Sequence, residues 1–175
     1  SELSTNDIFD ILLQAKEMGC LYLSLTGGEP FVRRDLVDIV AFADRHGYHT
    51  LIQTNGTLID EAKADALARF KHLIVAVTLH GASAATHERF THVPGSFEKS
   101  VNGIRNLTSR GIQTVVRQVV MNNNVAETEQ MGDLAHSLGA TINRNPMLYP
   151  SVLGSTEHLS QRVSDRVLRE LMKAE

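Results

Sequence analysis

Two glycines, a carboxylate and a proline close a short apolar run in Leu21-Tyr22-Leu23-Ser24-Leu25-Thr26-Gly27-Gly28-Glu29-Pro30. Consecutive glycines free the backbone of Cβ sterics, so amides and carbonyls can approach a ligand closely or turn sharply. Pro30 fixes its own φ and biases Glu29 toward an extended conformation. The same residues also suit a tight strand-to-helix turn that binds nothing. Further along, Thr26, Gln53, Thr54, Thr78, Arg117 and Asn145 fall at or near the C-terminal ends of strand-like runs. An arginine inside an apolar strand is costly without an anion beside it. That anion is either a ligand or Glu29, in a salt bridge across the fold. His80 also lies at a strand end, with His87 and His92 after it, and neutral imidazoles bind zinc well. A metal-dependent barrel hydrolase using His80 is therefore an alternative enzyme. Most other strand ends carry Thr, Gln or Arg, where such an enzyme would need His or Asp.

The elements that hold these residues follow from periodicity. Ser4-Thr5-Asn6-Asp7 reads as a capped helix start, with Ser4 and Asp7 spaced as in a capping box. Ile8, Ile11, Leu12 and Ala15 carry that helix to a stop at Gly19. Strands are expected over Leu21–Thr26, Thr50–Thr54, Leu73–Leu79, Thr114–Met121 and Thr141–Asn145. Between them, helices with apolar stripes end at Gly47, near Phe70, at Gly111 and at Gly139. The stretch from His80-Gly81 to Pro94-Gly95 reads as a long polar connection, with Ser96 capping the next helix. Asn124 and Glu127 suit another capping arrangement. Ser151–Thr156 reads as a loop, and Val163, Val167, Leu168 and Leu171 as a terminal helix. Alternating strands and helices imply a parallel sheet. Polar residues shared among many strand ends favour a barrel or partial barrel over a doubly wound sheet.

Composition sets the outer bounds. With 175 residues, 42% of them apolar and 21% charged, the chain can bury one sizeable core. Its net charge of -3 is spread along the sequence, which gives no nucleic-acid signal and no basic membrane-binding segment. The first residues have neither a charged n-region nor an apolar h-region, so the expected compartment is cytoplasmic. Cys20 is the single cysteine, which leaves no intrachain disulfide and no cysteine metal cage. Beside Gly19 and a strand, it reads as a small buried thiol.

Taken together, the motifs resemble the radical S-adenosylmethionine (radical SAM) superfamily. Leu25-Thr26-Gly27-Gly28-Glu29-Pro30 is similar to that family's GGEP motif on the second barrel strand. Gln53-Thr54-Asn55-Gly56 resembles its third-strand ending, and Val77-Thr78-Leu79-His80-Gly81 its fourth-strand S-L-D/H-G pattern. Gly95-Ser96-Phe97-Glu98 and the residues to Ile112 resemble the following helix and turn.

The resemblance implies an α/β fold, a partial (β/α)6 barrel of parallel strands with the first strand missing. Residues 1–150 would form the barrel core, and residues 151–175 a loop and helix leading toward a further domain. The implied cofactors are S-adenosylmethionine (SAM) and a [4Fe-4S] cluster. The implied reaction is reductive cleavage of SAM to a 5′-deoxyadenosyl radical that abstracts hydrogen from a peptide or small-molecule substrate, with flavodoxin or ferredoxin as electron donor. Carried onto this sequence, Gly27, Gly28 and Glu29 would receive the SAM amino group. Thr78 would contact its carboxylate or ribose, Arg117 would pair with the carboxylate, and Gln53 and Thr54 would line the pocket. The family's CxxxCxxC loop has no counterpart here, and Cys20 is out of place for it. The chain therefore reads as an internal portion of a larger enzyme and as inactive alone. A barrel-derived binding domain without catalysis is the other alternative.

Overall fold

The computed structural model describes residues 2–149, 154 and 156–171. Its order is α1 (Thr5–Glu17), β1 (Tyr22–Leu25), α2 (Leu36–Arg45), β2 (His49–Thr54), α3 (Glu61–Leu67), β3 (Leu73–Thr78), α4 (Ala84–Thr91), α5 (Ser96–Thr108), β4 (Gln113–Val119), α6 (Thr128–Ser137), β5 (Thr141–Asn145) and α7 (Asp165–Leu171). The five strands pair in parallel in the order β1-β2-β3-β4-β5, so each strand lies beside its successor in the chain. This is the sequential strand order of a βα barrel, and among the described residues it does not close: β1 and β5 are its two edges.

One face of the sheet is packed by helices and the other is open, because strand side chains alternate. Ile52, Val75, Val77 and Val116 join Leu67, Ile104, Leu107 and Met131 in the main core. A second cluster, Leu12, Ile39, Ala43 and Tyr48, seats α1 against α2. There Phe9 stacks on Phe42 at 4.1 Å, and Tyr48 donates to the Leu12 carbonyl at 2.6 Å. Thr5 also donates to Asp35 at 2.6 Å. The paired Arg33 guanidinium, with Thr5 second, holds the Asp35 carboxyl down at about 2. The capping box is present, with Ser4 and Asp7 bonded in both directions.

Several expectations change. The stretch after His80 is a connection only in part, because it contains α4. Ser83 starts that helix by accepting from the Thr86 amide at 3.3 Å, and its buried face is the polar pair Thr86 and His87. A polar buried face gives no apolar stripe to read. Ser96 does not cap α5: its hydroxyl bonds Thr91, and Glu88 accepts from the amides of Gly95 and Phe97 instead. Asn124 and Glu127 cap no helix either, and both reach back to the loop after β3. Cys20 is exposed rather than buried, since β1 begins beyond it and nothing covers the turn at Gly19. Residues 151–153 and 155, within the expected loop Ser151–Thr156, lie outside the described residues. Val163 is buried just ahead of α7.

Candidate active site

The polar strand ends come together, as a barrel mouth requires. Gly27 adopts φ 138°, a conformation that suits glycine, and a Cβ built on Gly27 or Gly28 would meet nothing within 4 Å. Both residues face open space. Among the described residues neither of their carbonyls accepts a hydrogen bond.

Glu29 is held by three internal donors. One carboxylate oxygen accepts from the Phe31 amide at 3.1 Å and the Thr54 hydroxyl at 2.7 Å, and the other from the Asn55 amide at 2.8 Å. Thr54 in turn accepts from the Gly56 amide at 2.9 Å. These bonds tie the glycine loop to the end of β2 and set its height above the sheet. Both hydrogen-bonding roles of the Thr54 hydroxyl are thereby committed to the scaffold.

On the open face, Thr78 and Arg117 are register partners at the ends of β3 and β4. The salt bridge considered between Arg117 and Glu29 does not form. Arg117 donates to the side-chain carbonyl of Gln53, and among the described residues no carboxylate lies within ion-pair distance of it. Thr78 also lines a cavity of about 270 Å³ together with Asn55, His80, His87, Ser96 and Ser100.

The histidines build the wall of that cavity and form no metal site. His87, 2% exposed, accepts the His80 backbone N–H on Nδ1 at 3.2 Å, which fixes the proton on Nε2. The two rings lie 5.6 Å apart, and His80 stacks on Phe90 at 5.0 Å. Burial first, then the neighbouring His80, lowers His87 to about 4, and burial also lowers His80. Both are neutral at neutral pH. With one His87 nitrogen committed to a backbone amide, the pair does not chelate, and among the described residues no group of three His, Cys, Asp or Glu side chains could hold a metal. The hydrolase built on His80 loses its support.

A second support joins these residues, and the sequence did not announce it. Asn124, 1% exposed, donates to the carbonyls of His80 and Val119, both at 2.9 Å, and accepts from the Met121 amide at 2.7 Å. Glu127 accepts from the Ala82 amide at 2.7 Å and from the Thr86 hydroxyl. The loop after Thr78 is therefore pinned from the end of β4.

A family model described as the radical SAM superfamily matches residues 1–135. The chain belongs to that superfamily. It is 34% identical over 155 residues to the mycofactocin maturase MftC of Mycobacterium tuberculosis, covering 88% of this chain and 39% of that protein. It is 29% identical over 168 residues to the AdoMet-dependent heme synthase of Methanosarcina barkeri, covering 95% and 48%. Among solved structures, Streptococcus suis SuiB bound to S-adenosylmethionine matches with a TM-score of 0.79 at 16% identity, over 99% of this chain and 41% of that one. The likeness to SuiB establishes a shared fold. Against each of these proteins, the chain spans less than half of the length.

The open mouth suits SAM. A sulfonium amino acid brings an ammonium, which needs acceptors, and a carboxylate, which needs a cation. Among the described residues, the unbonded glycine carbonyls and an arginine without an acid partner are groups of those two kinds. The iron–sulfur cluster is another matter. One cysteine cannot provide the three thiolates of the family's loop, so these 175 residues do not contain a ligand set for it.

Proposed function

We propose that this chain is the SAM-binding barrel portion of a radical SAM enzyme that uses reductive SAM cleavage to abstract hydrogen from its substrate. The observation that carries this reading is Arg117, a cation on the open face in register with Thr78 and, among the described residues, without an acid partner. Gly27 and Gly28 would accept the SAM ammonium through their carbonyls, while Glu29 and Thr54 hold that loop in place. Thr78 and Arg117 would bind the carboxylate. A [4Fe-4S] cluster, for which this chain has no ligand set, would together with bound SAM supply 5′-deoxyadenosyl radical chemistry. The chain's own contribution would be to orient the amino acid end of SAM, through glycine carbonyl acceptors, the Thr78 hydroxyl and one positive charge.

A peptide is the substrate class we favour. SuiB, which shares the fold, has been crystallised with its precursor peptide SuiA. The SuiA complex matches with a TM-score of 0.76 over 99% of this chain. An external electron donor of the flavodoxin or ferredoxin type would deliver the reducing equivalent, and the protein would act in the cytoplasm. No helix among the described residues is long and apolar enough to cross a membrane.

Equilibrium binding of SAM to the full-length protein tests the site. Arg117→Ala should weaken binding by about tenfold or more, the value of a charge-assisted pair. Gly28→Val, which fills open space without crowding the scaffold, should weaken it comparably. Wild-type affinity in both variants would refute the assignment.

A further inference from the structure

Gln53 lies on β2 and Arg117 on β4, so their contact crosses the whole of β3. The crossing is possible because the β3 residue in register with Gln53 is Ala76, whose methyl group leaves room above the strand. Arg117 donates Nη1–H to the Gln53 side-chain oxygen. The Gln53 nitrogen donates in turn to the Ser24 hydroxyl on β1 at 2.8 Å. A hydrogen-bonded relay thus runs from the β1 edge to Arg117, across four strands.

Every polar atom type of the Gln53 amide is engaged in this relay. A carboxylate at the same position would also accept from Arg117, but it would neutralise the guanidinium. Gln53 accepts without doing so. We propose that Gln53 is a positioning residue, which aims Arg117 along the open face as a charged group left free to take the SAM carboxylate. Arg117 can only donate, so it requires the amide oxygen on its side, and Ser24 accepts from the nitrogen left on the other. This rests on Arg117 being the carboxylate partner. It assigns to Gln53 an action through Arg117 rather than a contact with the ligand.

The experiment compares two ligands on the full-length protein: SAM, and 5′-methylthioadenosine, which lacks the amino acid carboxylate. Gln53→Glu should weaken SAM binding by about tenfold and leave 5′-methylthioadenosine binding and the melting temperature undiminished, because the new ion pair satisfies Arg117 internally. Gln53→Leu removes the acceptor without adding charge, and should weaken SAM binding less than Gln53→Glu does. If Gln53→Glu does not fold, Gln53→Leu still decides: loss confined to SAM supports positioning, and equal loss of both ligands overturns it. Wild-type SAM affinity in Gln53→Glu, with Arg117→Ala impaired, would also overturn it. Wild-type affinity in Arg117→Ala would instead refute the reading on which it rests.

Discussion

Asn124 donates its side-chain amide to the backbone carbonyl of His80 at 2.9 Å, across 44 residues of chain. His87 grips the same residue from the other side by accepting its N–H at 3.2 Å. The residue that follows Thr78-Leu79 is therefore held at both of its backbone polar groups by buried side chains. The proposed presentation of the Thr78 hydroxyl to a ligand would gain a fixed exit path from this arrangement.

Asn124→Ala removes three bonds at once and leaves the His80 and Val119 carbonyls and the Met121 amide to find other partners. Buried groups left in that state cost about 1–3 kcal/mol each, partly relieved by water, so a loss of about 2–4 kcal/mol is expected in urea denaturation. A loss under about 1 kcal/mol would mean that the loop holds itself.

The His87 imidazole must be neutral to accept the His80 amide, which makes the fold acid-sensitive. Its folded value of about 4 lies below the ordinary 6.5, so the unfolded chain binds more protons between the two. Stability from this group is complete above 6.5 and falls as pH drops toward about 4. Urea midpoints measured from about pH 7 to about pH 5 should decline more steeply for the wild type than for His87→Gln, whose side-chain oxygen accepts without titrating. Parallel slopes would contradict the assignment.

Two glycines should respond in opposite ways. A Cβ on Gly103 would stand 2.3 Å from the Gly56 carbonyl oxygen, because α5 packs directly on the turn after β2. Gly103→Ala should cost about 1–3 kcal/mol by overpacking. Gly28→Ala meets nothing within 4 Å and should stay within about 0.5 kcal/mol of wild type. Thermal melts of the two variants check this, and equal losses would show that the space above Gly28 is filled.

Much of this was legible in the residues. All five strands and most helices stand where period and turn chemistry put them, because Leu73 to Leu79 and similar runs admit few other structures. The capping box at Ser4 and the stop at Gly19 are local signals, and they held. What failed was long-range or polar. Asn124 and Glu127 have the spacing of a helix cap, yet each also reaches across the fold, to His80 and Ala82, 44 and 45 residues away, and no local pattern reports that. The polar face of α4 hid a helix. Gln53 was visible as a strand-end residue, but its tie to Arg117 needed both the parallel register and the small Ala76 between them. The family motifs fall at one mouth of the sheet, and none of them reports what supports it.

The proposed positioning of SAM for reductive cleavage is tested by 5′-deoxyadenosine formation by the full-length protein, purified without oxygen, its iron–sulfur centre reconstituted, and supplied with SAM and a low-potential reductant. The expected result is 5′-deoxyadenosine that depends on the reductant and falls strongly in Arg117→Ala at limiting SAM. A fully loaded protein that yields none, or an Arg117→Ala variant as active as wild type at every SAM concentration, would contradict it.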